Sequence, residues 1–112
     1  MNIQEMFDKA YIGLASQDFE PSHNGKRCVY SDKKGNRCAW GWVDLSLDES
    51  QTGNVMSLHR EKIGIAATLD GEQLCFAQRL QDTHDNCFDK YNLKIALERL
   101  AKQCNLTIPN VD

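Results

Sequence analysis

The sequence predicts an α+β fold in which a small antiparallel β-hairpin packs against three amphipathic helices, within a single domain spanning residues 1–112. Three observations carry that expectation. The stretch 26–43, KRCVYSDKKGNRCAWGWV, sets runs rich in Val, Tyr, Cys and Trp on both sides of a polar segment at 32–36, the pattern of two strands about a turn. Apolar residues recur at three- and four-residue spacing towards both ends of the chain, as in helices with one buried face. A length of 112 residues leaves room for one modest core and not for two.

The first helix is expected over residues 2–17, where Ile3, Met6, Phe7, Ala10, Tyr11 and Leu14 share a face. Asn2 can cap it, with Glu5 three positions on as in a capping box. Pro21 and Asn24-Gly25 then mark a loop, in which His23 reads as solvated. In the hairpin, Gly35 can take the positive φ that a short loop demands. Side chains alternate along strands, so a register in which opposed numbers sum to an even value gathers Cys28, Tyr30, Cys38, Trp40 and Trp42 on one face. That face needs the helices to cover it.

Residues 44–54 read as an acidic surface loop with Leu45 and Leu47 turned inward. Its carboxylates at Asp44, Asp48 and Glu49 lack the ligand spacing and the glycine of a calcium loop. The segment 55–69 is compatible with helix or strand, and Gly64 weakens both. Asp70 is an N-cap for a helix running to about Asp85, with Asn86 as its stop and Leu74, Phe76, Ala77 and Leu80 as its buried face. A last helix is expected over 88–104, with Phe88, Tyr91, Ile95, Leu97, Leu100 and Cys104 inward. Asn105 suits a left-handed cap with Leu106 folding back, and Pro109 forbids continuation.

Composition narrows the class of protein. No apolar run approaches the ~20 residues of a membrane span, and the N-terminus MNIQEMFDKA lacks the basic start and apolar core of a signal peptide. Cytoplasmic residence is therefore expected, and with it five reduced cysteines rather than a disulfide framework. The Asn105-Leu106-Thr107 acceptor pattern has no meaning without secretion. Residues 26–37 carry five cations against Asp32, a local charge of 5 − 1 = +4, so the rest of the chain carries −7 of the net −3. A basic tip on an acidic body results.

Candidate chemistry is sparse. Cys28, Cys38, His84 and Cys87 could be assembled into a zinc site, but no tight Cys-x-x-Cys pair is present, and packed thiols are the expectation, with no metal and no cofactor. A nucleophilic Cys-His pair oriented by Asp85 is disfavoured, because neighbours on a helix point about 100° apart. No phosphate-binding glycine loop, nucleophile elbow or metalloprotease motif occurs. Nucleic-acid binding through the basic tip and the Tyr30, Trp40 and Trp42 face remains as an alternative, opposed by the net charge.

The pieces Cys28-x-Tyr30, Gly35-x-x-Cys38-Ala39-x-Gly41, Gly53-Asn54-Val55 and Leu80-Gln81-x-x-His84-Asp85, together with the opening Ile3-Gln4-Glu5-Met6-Phe7, resemble a group of small proteins of tailed bacteriophages and prophages. The chain departs from that group where an Ile/Leu-Pro-Asp-Glu turn usually follows the hairpin; Asp44-Leu45-Ser46-Leu47-Asp48-Glu49 stands there instead. The resemblance implies a context in which small accessory proteins bind and block host factors, including components of bacterial immunity. The resulting expectation is a non-enzymatic accessory protein that binds a host protein, with Lys33, Lys34 and Arg37 at the hairpin tip as contact residues.

Overall fold

The computed structural model describes residues 1–20, 22, 29–32, 34–48, 54–86 and 89–111. Among these residues five α-helices follow in order: α1 Ile3–Ser16, α2 Ala39–Val43, α3 Val55–Arg60, α4 Gly71–Asp85 and α5 Lys90–Gln103, with a 3-10 turn Ile65–Thr68 before α4. Helix makes up 60% of the described residues and strand 2%, so the α+β expectation is overturned and the fold is mostly helical. Among the described residues the hairpin is reduced to one antiparallel bridge between Ser31 and Arg37.

The turn itself forms as expected. Gly35 sits at φ 88°, and Asp32 Oδ1 accepts the N–H groups of Lys34 and Asn36, each at 2.9 Å. The second strand is what fails. Cys38 becomes an N-cap whose Sγ accepts the Gly41 N–H at 3.3 Å, and Trp40 N–H donates to Gln81 Oε1 of α4 at 2.9 Å. Once 39–43 coils, the even-numbered face is dismantled. Trp40 turns wholly inward while Trp42, two positions on, lies half-buried against α1. Gly41 is required here, since a Cβ would stand 2.2 Å from the Tyr30 carbonyl oxygen.

One core gathers Met6, Phe7 and Leu14 of α1, Trp40 of α2, Leu58 of α3, Leu80 of α4 and Leu97 of α5. Local signals hold where they were read. Asn2 Oδ1 accepts the Glu5 N–H at 2.9 Å, and Asp70 with Gln73 forms a reciprocal capping box, ending at Asn86. The ambiguous segment 55–69 resolves as α3, capped by Asn54 Oδ1 on the Ser57 N–H at 2.8 Å, and the 3-10 turn. On α5 Leu97 and Leu100 are buried as expected and Cys104 packs against the core, but Leu93 and Ala101 complete the face, whereas Tyr91 is 74% and Ile95 49% exposed. Phe88 lies outside the described residues. No helix among the described residues is long and apolar enough to cross a membrane.

Three helices end in the same paired geometry. Asn105 takes φ 56° and Leu106 N–H reaches back to Ala101 O at 2.8 Å, as expected from the sequence. Asp18 with Phe19, and Lys62 with Ile63, repeat it on α1 and α3. Lys62 at φ 59° is an L-residue with no local hydrogen-bonding side chain to excuse a left-handed backbone. Lys62→Gly is therefore expected to stabilise the fold by about 0.5–1 kcal/mol in denaturant titration. A loss of stability would show that the lysine makes a compensating contact.

Candidate functional site

The motif residues of the C-terminal half and those around Cys38 meet in one polar network, buried at His84 and Gln81 and open to solvent at the Asp85 carboxylate. α4 places Gln81, His84 and Asp85 on the side facing α2 and the bridge loop. His84 is 0% exposed. Its Nε2 accepts the Ser22 N–H at 3.3 Å, which assigns the ring proton to Nδ1, and that Nδ1–H donates to Asp85 Oδ1 at 3.0 Å. Gln81 Nε2 also donates to Asp85 Oδ1, at 2.8 Å, while Gln81 Oε1 takes the Trp40 N–H. The expectation that Asp85 would not orient His84 is thus wrong. Asp85 closes α4, and the amide of Gln81 one turn earlier fixes its carboxylate over the ring.

A thiol, an imidazole and a carboxylate in one cluster invite a catalytic reading, but the electrostatics oppose it. Burial pushes the Cys38 thiol up to about 12, against the pull of the Gly41 N–H, and the Asp85 charge adds to the rise. Nucleophilic and metal-ligating cysteines need the opposite shift. Both ring nitrogens of His84 are already engaged, so a metal would have to break one of these bonds. No group of three or more metal-binding side chains occurs among the described residues; Cys28 and Cys87 lie outside them. Burial and Asp85 also raise the Tyr30 hydroxyl well above its usual range. The network is a polar joint locking α2 and the bridge loop to α4.

The raised thiol has a measurable consequence. Native protein at pH 8 should lose Cys75, which is exposed, to a thiol reagent quickly, while Cys38 reacts only on unfolding. Because the folded state keeps the Cys38 proton that the unfolded chain releases above about 9, stability is full below pH 9 and falls towards pH 12. Cys38→Ala should flatten that part of the pH–stability curve. Rapid native labelling of Cys38 would contradict its burial.

The expected contact residues are scattered in role. Lys34 is exposed at the loop tip, and Lys33 lies outside the described residues. Arg37 is not a free charge. Its Nε donates to Gly41 O at 2.7 Å and its Nη2 to the carbonyls of Asp44 and Leu47, so the guanidinium closes the C-terminal end of α2. Gln17 clamps the same residue, accepting the Arg37 N–H at 2.9 Å and donating to its carbonyl at 2.8 Å. The acidic loop is also more structural than its composition suggests. Asp44 is 3% exposed and Leu47 1%, while Leu45 stands out at 66%.

An apolar surface site was missed. Ile12, 51% exposed on the side of α1 away from its core stripe, lies with Leu45 and the half-buried Trp42 around a cavity of about 420 Å³ that Asp8 and Lys9 border. Gly13 lets the indole lie against α1, since a Cβ there would sit 2.3 Å from its ring carbons. Gln17 Oε1 accepts Trp42 Nε1–H at 3.0 Å, so one amide joins this wall to the Arg37 loop. The only sequence signal was Ile12 standing off the helical stripe.

Comparison with known proteins adds no relative: no family model matches the chain, and neither a curated protein nor a solved structure does.

Proposed function

We propose that this chain is a non-enzymatic accessory protein that acts by occupying the surface of another protein, in the cytoplasm of a bacterial host, as the phage-protein resemblance suggests. The observation that carries the reading is the apolar wall in which the exposed Ile12 and Leu45 flank Trp42, itself packed against the core on its other side. Exposed apolar patches with a rigid aromatic at the centre suit protein contacts, where tryptophan supplies much of the binding energy. The buried, proton-retaining Cys38 supports the same reading, because it leaves the thiol–imidazole–carboxylate cluster without a usable nucleophile. An inhibitor of a bacterial defence component is the form of activity this context favours.

The nucleic-acid alternative keeps only Trp42 of its stacking face, since Tyr30 and Trp40 are buried at 3% and 0% exposure. The deciding experiment is affinity capture from host lysate with Ile12→Asp and Leu45→Asp alongside the parent chain. A specific host protein should be retained by the parent and lost, at least tenfold, from both variants, a change of about 1.4 kcal/mol or more. Capture of nothing, or of material that nuclease removes, would overturn the reading.

A further inference from the structure

A second surface carries two arginines that no carboxylate pairs among the described residues. α4 and α5 run side by side, and between them opens a cavity of about 380 Å³ with Arg79, Thr83 and Asn86 on one wall, Arg99 and Gln103 on the other, and Leu100 at its base. Arg79 is held across the groove by neutral acceptors, its Nη2 donating to Gln103 Oε1 at 2.8 Å and its Nη1 to Cys104 Sγ at 3.5 Å. A guanidinium positioned by an amide and a thiol keeps its whole charge for something else. Arg99, exposed on the facing helix, makes no ion pair among the described residues. Asp82 also borders the groove, but its carboxylate accepts from Gln78 Nε2 at 2.7 Å and is paired with neither arginine. The cationic tip expected at 32–37 has meanwhile given up Arg37 to backbone carbonyls.

From this juxtaposition we propose that the α4–α5 groove is a docking site for an acidic protein segment, with Arg79 and Arg99 as its carboxylate receptors. The proposal rests on the interaction reading above and names the chemistry of the partner. Guanidinium groups match carboxylates through two parallel hydrogen bonds, and a pre-positioned fork loses little freedom on binding. The base of the groove, at Ala96 and Leu100, suits an apolar side chain between two acidic ones. A nucleic-acid strand fits less well. A run of phosphates has no apolar group to set on the Ala96 and Leu100 base between the arginines, whereas a peptide side chain does.

The test uses the full chain and a fluorescein-labelled peptide of glutamate and leucine, with a glutamine-for-glutamate peptide and a labelled single-stranded oligonucleotide of equal length beside it. Amide shifts of the isotope-labelled protein report where each probe sits. The acidic peptide should bind, perturb Arg79, Thr83, Arg99 and Gln103, and weaken as salt rises. Arg79→Gln with Arg99→Gln should lower its affinity at least about tenfold, as expected for losing charge-assisted bonds. Arg99→Gln alone, which removes no bond within the fold, should account for part of that loss. Perturbation elsewhere, an unchanged affinity in both variants, no binding, or tighter binding of the oligonucleotide than of the peptide would each overturn the proposal. A captured host protein whose binding ignores both arginines would sink it while leaving the interaction reading intact.

Discussion

Asp44→Ala is expected to destabilise the protein by about 3 kcal/mol, because several hydrogen bonds to one buried group are lost together. The carboxylate is 3% exposed. Its Oδ1 accepts the Ser46 N–H at 3.1 Å and hydroxyl at 2.6 Å, and its Oδ2 accepts the Ile65 N–H at 2.9 Å. It thereby pins the loop after α2 to the 3-10 turn before α4. Gly64 is part of the same arrangement, at φ 62° and ψ −151°, with a built Cβ only 2.1 Å from Asp44 Oδ2. Gly64→Ala should cost about 2–3 kcal/mol from backbone strain and the clash together. In an Asp44→Ala background the clash disappears and only the strain remains, so the second substitution should cost measurably less there. Denaturant titration of the four proteins checks this, with Glu72→Ala, an exposed carboxylate, shifting stability by no more than about 0.5 kcal/mol. An Asp44→Ala protein within about 1 kcal/mol of the parent would refute the buried-anchor role.

What the sequence made legible was local. The caps at Asn2 and Asp70 and the left-handed Asn105 are decided by side chains within a few residues, and all three form, although Asn2 caps α1 without the reciprocal Glu5 bond of a capping box. The hairpin failed because its alternation of Cys38, Trp40 and Trp42 is genuine while its meaning is set from afar. Trp40 N–H pairs with Gln81, 41 positions away, and no period within 26–43 encodes that partner. On α5 two apolar stripes compete. Tyr91 and Ile95 are four apart, as are Leu93 and Leu97, and only contact with α4 and α1 selects the second.

The polar network shows a related limit. Cys38, Gln81, His84 and Asp85 all belong to the motifs on which the phage resemblance rests, whereas Ser22, which donates to His84, carries no such signal. Their assembly was not foreseen, because helix geometry alone argues that adjacent residues diverge. At the last residue of a helix, with Gln81 holding the carboxylate, a short side chain can still cover its neighbour's ring. Charge counting erred in the same direction. It credited Arg37 to the surface, although a long side chain can satisfy buried carbonyls as readily as it meets solvent.

Arg37→Ala should therefore behave as a core substitution, costing about 2–4 kcal/mol, while Lys34→Ala, three positions away, shifts stability by no more than about 0.5 kcal/mol. The difference follows from what each cation touches. The Arg37 guanidinium donates to the carbonyls of Gly41 and Asp44, left over at the end of a five-residue helix, and to that of Leu47 in the loop beyond. A positive charge at a helix C-terminus is favourable in its own right. Removing it orphans carbonyls beside Asp44, so the loss should spread to the anchor on Ile65. Lys34 contributes only a backbone N–H to Asp32 Oδ1, which alanine retains. Arg37→Lys should recover part of the loss, since an ammonium restores charge but not the planar reach to three carbonyls. Joint replacement of Lys33, Lys34 and Arg37 thus cannot serve as a fold-neutral probe of binding, and Lys34→Glu is the variant that isolates the tip charge. Equal unfolding midpoints for Arg37→Ala and Lys34→Ala would show that the guanidinium contributes nothing to the closure of α2.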